Sequence, residues 1–509
     1  MIATSYTSAY RINLSKPMLW AVFGLYVVLL SYTVAHHELW GDELQAWNIA
    51  KASASFPDLL VNTRFEGHPP AWFALLWAIS KYTHNLAYVQ AAQVVIACTV
   101  VFLVIFFAPF PLLTRLLIPF GYYFLFEYGV FSRNYMIGVL PAFCICLIMR
   151  KNFRYKTLLY YALLLLMACT HLLAIPVAAG LHVYYLGMLI GQRQKTATVA
   201  LHTLLGIVAF LPAAYFIFPP SDSQINVRFW IDRWNVHQLT AFIQAPLQAF
   251  IPMPAWWHYQ FWNTEVFTEA KNNHSLFRLL NWPISIATVA AAIYVLKRNR
   301  NSLLMFVTCF LLTFIIAVAV FPLSSARYAG FIFIGFMAAY WLYCYEALPS
   351  RVGQWLVNGL LMVQLAGGIF AVSKDIRFPF SNLYRVNELL QDVPPGKRAV
   401  CDYWSLNSIA SFAGKPFYCV DLQKQVSFIL WGSDLAAMQK NPNRYYDGVH
   451  RLFQKEGIKE LYMISTGTLQ NLNRVDSLFL RSYHVELVDK KAGAIEKGSN
   501  LYLYLIKDI

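Results

Sequence analysis

The chain has 509 residues, of which 58% are hydrophobic, 17% are aromatic and only 13% are charged. Soluble domains carry about 25% charged residues, so this composition excludes a disordered chain, a coiled coil and a small disulfide scaffold. It favours a membrane protein with many spans. The net charge of +15 would also suit a nucleic-acid-binding protein, and the positions of the charges decide between these classes.

The hydropathy of the chain predicts eleven apolar spans, each close to the ~20 residues with which a helix crosses a bilayer. They lie near 17–35, 87–108, 113–130, 134–149, 157–174, 175–191, 197–218, 279–296, 303–322, 328–346 and 353–372. The aromatic segment 69–82 is shorter and lies beside polar residues. We expect it to form a helix on the membrane surface, with a short twelfth span as the alternative. The predicted fold is thus a polytopic α-helical membrane protein with about 11 transmembrane helices.

The basic residues predict the direction of these spans. With a cytoplasmic N-terminus, the cytoplasmic segments hold 13 Lys and Arg residues and a single acid, Glu346. Such an excess is typical of cytoplasmic loops. The positive charge therefore indicates topology, and we expect an integral protein of the cytoplasmic (inner) membrane with no nucleic-acid partner.

The opposite face carries three long polar segments, at 36–86, 219–278 and 373–509. The last has alternating runs that predict strands within 398–404, 415–422, 459–465 and 500–506, and helical patterns at 381–391 and 444–457. We therefore expect a membrane domain at 1–372, with the first two segments as its outer loops. A small extracytoplasmic α/β domain is expected at 373–509.

The first outer loop concentrates acids that suit catalysis. Five fall within 29 residues: Glu38, Asp42, Glu43, Asp58 and Glu66. Gly41 can begin a helix, and a helix N-terminus favours the anionic form of Asp42 and Glu43 in its first turn. A helix cap with a solvated face is the alternative. Against it, Trp40 and Trp47 place this helix at the bilayer, where a carboxylate is costly unless it has a function.

The same loop ends in the sequence Gly-His-Pro-Pro, at residues 67–70, whose prolines stop any preceding helix. His68 suits a substrate hydroxyl or phosphate, and a rigid turn with a solvated histidine is the alternative.

Polar residues recur at the outer ends of later spans. Glu127 lies about one turn inside an apolar segment and is followed by Arg133-Asn134, which indicates a structural ion pair or the wall of a site. His171 ends the fifth span, where a helix-end role is the alternative to ligand binding. Arg327 is the only charge in roughly 45 residues, and its guanidinium suits a phosphate of bulk lipid or of a substrate.

The second outer loop holds Arg228, Asp232, Arg233 and the aromatic run 254–259. This run suits an aromatic belt at the membrane surface, or stacking on a sugar or a polyprenyl chain. No predicted span has an Asp, Glu, Lys or Arg near its centre, where a transporter would place one. The charges therefore favour surface chemistry on a membrane-borne substrate.

Together these residues resemble the GT-C glycosyltransferases. These polytopic enzymes take a sugar from a polyprenyl phosphate, and they include protein O-mannosyltransferases and lipid A aminoarabinose transferases. The resemblance rests on Asp42-Glu43 after the first span, the Gly-His-Pro-Pro at 67–70, Arg133, and Arg327-Tyr328. By layout it covers roughly residues 15–345 and does not extend to the tail. The histidine before the prolines is similar to the mannosyltransferase pattern, whereas the aminoarabinose transferases tend to have lysine there.

The resemblance implies an inverting transfer to an acceptor hydroxyl, with a carboxylate as general base. Asp42 is expected as the base, with Glu43 or Glu127 positioning the acceptor. Arg327, with Arg133 or His68, is expected to hold the donor phosphate. The expected catalytic residues are thus Asp42 and Glu43, and the expected substrate-binding residues are His68, Glu127, Arg133, Asn134, His171, Arg327 and Tyr328.

Two other classes stay open: a transporter or flippase of lipid-linked sugars, and a non-enzymatic sensor or assembly protein of the cell envelope. The expected partners of the transferase are a polyprenyl-phosphate-linked sugar and a lipid, glycan or protein acceptor. No cofactor or metal is expected, although outer-face carboxylates can bind a divalent cation. Cys401 and Cys419 lie in the extracytoplasmic tail, where a disulfide between them can form.

Overall fold

A computed structural model describes residues 15–218, 220–221, 236–269, 276–320, 323, 325–414, 416–432, 438, 440–469 and 475–509. The described residues form two compact units. The first lies within Met1–Ala35, Val89–Phe218 and Val227–Lys374, and the second lies within His36–Tyr88, Pro219–Asn226 and Asp375–Ile509. The first outer loop thus belongs to the same unit as the tail, and the predicted boundary at 372/373 stays a prediction.

Helices form most of the described chain. In chain order they are α1 (Lys16–His36), α2 (Gly41–Ala52), α3 (Phe56–Thr63), α4 (Ala71–Ser80), α5 (Ala87–Phe107), α6 (Leu112–Leu117), α7 (Met136–Met149), α8 (Lys156–Ala168), α9 (Ala174–Gly191), α10 (Thr196–Ile217), α11 (Val236–Phe250), α12 (Val266–Glu269), α13 (Leu276–Leu296), α14 (Arg300–Ala319), α15 (Ala326–Glu346), α16 (Arg351–Arg377), α17 (Val386–Gln391), α18 (Leu406–Phe412), α19 (Arg444–Glu456) and α20 (Ser477–Ser482).

All eleven predicted spans have a helical counterpart. Among the described residues, seven helices are long and apolar enough to cross a membrane: α1, α5, α9, α10, α14, α15 and α16. Three further spans are the shorter apolar helices α7, α8 and α13. The remaining span is α6 followed by a 3₁₀ turn, Ile118–Phe120, and a π turn, Tyr123–Glu127. The predicted polytopic membrane fold is therefore confirmed, whereas the surface helix predicted at 69–82 is α4 of the second unit.

Helix α15 lies at the centre of the first unit, and 83% of its most apolar 18-residue stretch is buried. Small residues let neighbouring groups approach its backbone closely. Any side chain at Gly330 would collide with the rings of Tyr123 and Tyr128, and one at Gly335 would collide with Cys309. The contacts at Gly330 fix the start of α15 against the π turn, and the contact at Gly335 holds α15 close to α14.

The second unit contains a six-stranded sheet in the order β3-β2-β1-β4-β6-β5. Its strands are β1 (Ala399–Cys401), β2 (Phe417–Cys419), β3 (Lys424–Val426), β4 (Glu460–Ser465), β5 (Tyr483–Lys491) and β6 (Leu501–Asp508). Strand β1 is parallel to β2 and β4, and the other pairs are antiparallel. The four predicted strands are confirmed as β1, β2, β4 and β6, and β3 and β5 were not predicted. Cys401 and Cys419 are opposite each other in β1 and β2, and their buried thiols are free.

Each face of this sheet is covered by a separate core, as in doubly wound α/β domains. Helix α18 packs on one face and α19 on the other. Leu39 and Leu44 of the first outer loop are buried in the core on the α18 face, which also contains Leu406 and Ile464. The tail therefore does not complete this core alone, and α2 is one of its layers.

Candidate active site

Helix α2 presents Asp42 and Glu43 in its first turn. The Glu43 carboxylate turns back and accepts a hydrogen bond from the backbone N–H of Trp40 at 3.1 Å, which satisfies a donor at the helix start. Glu43 is buried, whereas Asp42 is half-buried. The two neighbouring carboxylates are therefore in different surroundings.

A buried histidine joins Glu43 to the end of α16. His37 Nδ1 lies 3.1 Å from both carboxylate oxygens of Asp375, and its Nε2 lies 3.4 Å from Glu43 Oε2. His37, Glu43 and Asp375 are 4%, 2% and 1% exposed. Burial alone would lower the pKa of His37, but the two carboxylates outweigh it and raise this pKa to about 10. The imidazole is thus a cation at neutral pH, held between two anions.

Polar side chains on the next turns tie α2 to the tail. The Gln45 amide donates to the backbone oxygen of Ile429 at 2.6 Å and accepts from the N–H of Ile429 at 3.1 Å. The Asn48 amide donates to the backbone oxygen of Asn407 at 3.0 Å and accepts from the Ser411 hydroxyl at 2.9 Å. Since Gln45 and Asn48 lie on one helix face, these bonds fix both the position and the rotation of α2.

The turn that carries His68 is bound to the same helix. Glu66 accepts a hydrogen bond from Gln45 at 2.9 Å. Gly67 has φ +67°, a left-handed conformation that glycine adopts without strain. Pro69 is buried behind the turn and His68 is half-buried. The second unit therefore brings Asp42, Glu43 and the His68 turn together around Gln45.

In the first unit, the π turn places Glu127 between two aromatic side chains. Its carboxylate accepts hydrogen bonds from the Tyr122 hydroxyl at 2.8 Å and from the Trp262 indole N–H at 3.2 Å. Glu127 is 1% exposed, so these donors replace water around the carboxylate. Arg133 is also buried, and its predicted ion pair with Glu127 stays a prediction.

Trp262 also connects Glu127 to Arg327. The Arg327 guanidinium carbon lies 5.0 Å from the centroid of the Trp262 ring and 4.8 Å from that of Tyr328. The backbone oxygen of Arg327 accepts from the Tyr128 hydroxyl at 2.7 Å. A guanidinium that stacks on aromatic rings can bind a planar anion through its edge. The structure thus places Glu127, Arg327 and Tyr328 around one indole.

The start of α15 is suited to an anion. Arg327 lies in its first turn, which has no acidic residue. Ser325 at the N-cap position is 5% exposed, and its hydroxyl has no hydrogen-bond partner within the described parts of the chain. Backbone N–H groups at the start of a helix carry partial positive charge and bind phosphates. This end of α15 therefore combines three kinds of hydrogen-bond donor that suit a phosphate: the Arg327 guanidinium, the Ser325 hydroxyl and backbone N–H groups.

Asn134 and His171 lie in an adjoining aromatic cluster. The Asn134 amide donates to the backbone oxygen of Thr170 at 3.2 Å. The His171 ring lies 5.1 Å from the ring centroids of both Tyr135 and Phe331, and its Nδ1 accepts from the backbone N–H of Leu173 at 3.0 Å. Tyr135 stacks on Tyr128, whose hydroxyl reaches Arg327. His171 is therefore held in place by the same group of rings as the start of α15.

The structure separates the sequence-predicted residues into two groups. Those of the first unit are Glu127, Arg133, Asn134, His171, Arg327 and Tyr328, and those of the second are Asp42, Glu43 and His68. Sequence reasoning did not find His37, Gln45, Trp262 or Ser325. A histidine five residues before the Asp-Glu pair was a visible signal for His37. Arg228, Asp232 and Arg233 lie outside the described residues, and the nearby Trp256 and Trp257 are exposed.

The chain was compared with known proteins. No family model and no curated protein matches the sequence. Crystal structures of ArnT from Cupriavidus metallidurans match the fold over 96% of this chain and 98% of ArnT, at 11% sequence identity. The TM-score is 0.54 for ArnT bound to undecaprenyl phosphate and 0.53 for ArnT in the apo state. The chain has the fold of ArnT. The likeness extends over the tail as well, where the sequence resemblance had ended.

His37→Asn should destabilise the second unit at pH 7, because it leaves Glu43 and Asp375 buried without a cation. Breaking a buried pair in this way costs about 3–5 kcal/mol. Since the pKa of His37 is raised, its contribution is complete below the unfolded-state value near 6.5 and is lost as the pH rises through about 10. The difference in stability between wild type and variant should therefore disappear at alkaline pH.

Thermal unfolding in detergent from about pH 6 to about pH 11 measures this difference, and amide hydrogen exchange in α2 assigns it to the second unit. His36→Asn is the matched control, since His36 is exposed at the end of α1, and it should unfold like wild type. Equal losses in both variants, or a difference that does not change with pH, would contradict the assignment.

Proposed function

We propose that this protein is an integral membrane glycosyltransferase. It moves a sugar from a polyprenyl-phosphate donor to an acceptor hydroxyl on the extracytoplasmic face of the cytoplasmic membrane. One observation carries the proposal: in an apolar helical unit, α15 begins with the buried Ser325 at its N-cap and has Arg327 in its first turn. A phosphate at the membrane surface is the ligand that best fits these donors.

The GT-C fold supports a lipid-linked donor. ArnT, which has this fold, binds undecaprenyl phosphate in one of its crystal structures. A polyprenyl chain is apolar and long, so it partitions into the bilayer and leaves only its phosphate at the surface. Arg327, stacked on Trp262, would hold that phosphate together with Arg133 or His68.

Asp42 is the general base in this proposal. It is half-buried at the start of α2, whereas Glu43 is buried and contacts His37 and the N–H of Trp40. Glu43 therefore acts as a positioning residue, which fixes the helix turn that carries Asp42. Glu127, held by Tyr122 and Trp262, orients the indole on which Arg327 rests.

The transfer is a single displacement with inversion. The acceptor oxygen attacks the anomeric carbon as the bond from that carbon to the phosphate oxygen breaks. Asp42 takes the proton of the acceptor hydroxyl, and Arg327 stabilises the charge that the phosphate gains. No group of three or more His, Cys, Asp or Glu side chains within the described ranges is arranged to hold a metal ion, and metal-independent transfer stays a prediction.

Arg327→Ala should weaken the binding of undecaprenyl phosphate by about tenfold or more, because a charge-assisted hydrogen bond contributes about 1.5–3 kcal/mol. Native mass spectrometry of the purified protein with added undecaprenyl phosphate measures the bound fraction. Arg327→Lys keeps the charge without the planar fork and should give an intermediate loss. Arg351→Ala, at the start of α16, is the control and should bind like wild type. Equal binding by Arg327→Ala and wild type would remove Arg327 from the phosphate site.

Asp42→Asn should reduce transfer by about 10²–10⁴-fold, the usual contribution of a general base, while undecaprenyl phosphate binding is unchanged. The assay supplies a membrane extract from cells that lack the gene and measures released polyprenyl phosphate by mass spectrometry. Asp58→Asn, an exposed acid of the same loop, is the control and should be fully active. Full activity of Asp42→Asn would show that another group is the base. Uptake of lipid-linked sugar into vesicles, without any transfer, would favour the transporter alternative.

A further inference from the structure

An exposed tryptophan stands out in the second unit. Trp404 is 48% exposed, although its indole is among the largest apolar side chains of the unit. The half-buried Trp431 ring lies 6.4 Å from it at an interplanar angle of 54°, and Tyr403 lies beneath, perpendicular at 5.2 Å. Trp404 and Trp431 together form an aromatic surface, and the buried Tyr403 packs against the Trp404 ring.

The loop that carries Trp404 is rigid. It follows β1, and its backbone is fixed on both sides: the N–H of Tyr403 donates to Asp421 at 2.8 Å, and the N–H of Ser405 donates to Asp402 at 2.8 Å. The loop lies at the carboxyl ends of the parallel strands β1, β2 and β4. After β1 the chain forms β2 on one side of β1 and later forms β4 on the other side. In α/β sheets, ligands bind at the strand ends where the strand order reverses in this way.

Both tryptophans lie close to the start of α2. Three residues after Trp404, the Asn407 amide donates to the backbone oxygen of Gly41 at 3.4 Å. Two residues before Trp431, Ile429 exchanges hydrogen bonds with Gln45. Gly41 directly precedes Asp42, and Gln45 is its neighbour one turn later on the helix surface. The aromatic surface therefore lies beside the turn that presents Asp42.

A polar group lies between these contacts. Asn407 is 6% exposed, and its Oδ1 has no hydrogen-bond partner in the part of the chain that the structure describes. A buried acceptor without a partner costs free energy, which a ligand hydroxyl at this position would recover. Aromatic rings with a hydrogen-bond acceptor at their edge suit a ligand that has one apolar face and several hydroxyls.

We propose that Trp404 and Trp431 form an acceptor subsite that binds the pyranose ring of a saccharide. The C–H face of a pyranose packs on an indole, while its hydroxyls at the ring edge reach Asn407 and Asp42. This inference rests on the proposed function, because a general base must lie within hydrogen-bond reach of the acceptor hydroxyl. It favours an acceptor that carries a saccharide, a glycan or a glycolipid, over a protein hydroxyl.

Saturation-transfer NMR tests this subsite with the full chain in nanodiscs. The probes are methyl glycosides of glucose, mannose, galactose and arabinose. Wild type should transfer saturation to the ring protons of at least one of them. Trp404→Ala and Trp431→Ala should each weaken its binding by about tenfold, which corresponds to about 1.4 kcal/mol. Trp404→Phe keeps an aromatic face and should retain most of the binding.

Trp20→Ala is the control, since Trp20 is 54% exposed but lies on α1, and it should bind the sugar like wild type. Equal binding by Trp404→Ala and wild type, or no binding of any probe to wild type, would overturn the proposal. Quenching of tryptophan fluorescence by brominated lipid that is smaller in Trp404→Phe than in wild type would also overturn it, because Trp404 would then be an anchor in the bilayer surface.

The proposed function can be tested separately from this subsite. Asp42→Asn should lose transfer even at saturating acceptor, whereas Trp404→Ala should keep transfer at saturating acceptor. If transfer requires Asp42 but the Michaelis constant for the natural acceptor is unchanged in Trp404→Ala, the subsite is wrong and the transferase assignment stands. If Trp404→Ala raises that constant about tenfold at unchanged affinity for undecaprenyl phosphate, the subsite is supported.

Discussion

The buried contact of His37 with two carboxylates, Glu43 and Asp375, is the interaction on which the arrangement of the second unit depends. Two carboxylates and one imidazole without access to water are stable only if they compensate one another. These three residues join the position after α1, the first turn of α2 and the last turn of α16. The neighbouring acids Asp42 and Glu43 therefore lie in different surroundings. Glu43 is buried and fixed inside the protein, whereas Asp42 in the same helix turn is half-buried.

This constraint also explains why the first outer loop and the tail form one unit. Leu39 and Leu44 fill a core whose other members come from the tail, and Gln45 and Asn48 complete the hydrogen bonds of its loops. Removing these residues would leave both apolar surface and backbone groups unsatisfied. The tail is therefore the support of the helix that carries Asp42, and by our proposal it also binds the acceptor.

Much of the fold could be predicted from the sequence because hydropathy and charge are local signals. The spans, their number and four of the six strands follow from runs of apolar residues and from alternation. The π turn at Tyr123–Glu127 could not be predicted, since its residues are as apolar as those of a regular helix. Strand β3 has only three residues, and β5 carries charged residues on exposed positions, so neither has a strong pattern.

The candidate site was predictable in part for the same reason. Acids and arginines at the ends of apolar spans are conspicuous, and they identified Asp42, Glu127 and Arg327. Their partners come from distant parts of the chain: Trp262 is 135 residues from Glu127, and Ile429 is 384 residues from Gln45. Neither pattern nor spacing connects residues so far apart. The difference between Asp42 and Glu43 could be seen only once burial was known.

The central claim is that the protein transfers a sugar from a polyprenyl phosphate. Mass spectrometry of lipids and glycoconjugates from cells with and without the gene tests it most directly. The account predicts that one sugar disappears from an envelope glycan when the gene is deleted, and that the same sugar accumulates on polyprenyl phosphate. Unchanged glycoconjugates together with unchanged polyprenyl-phosphate sugars would contradict it.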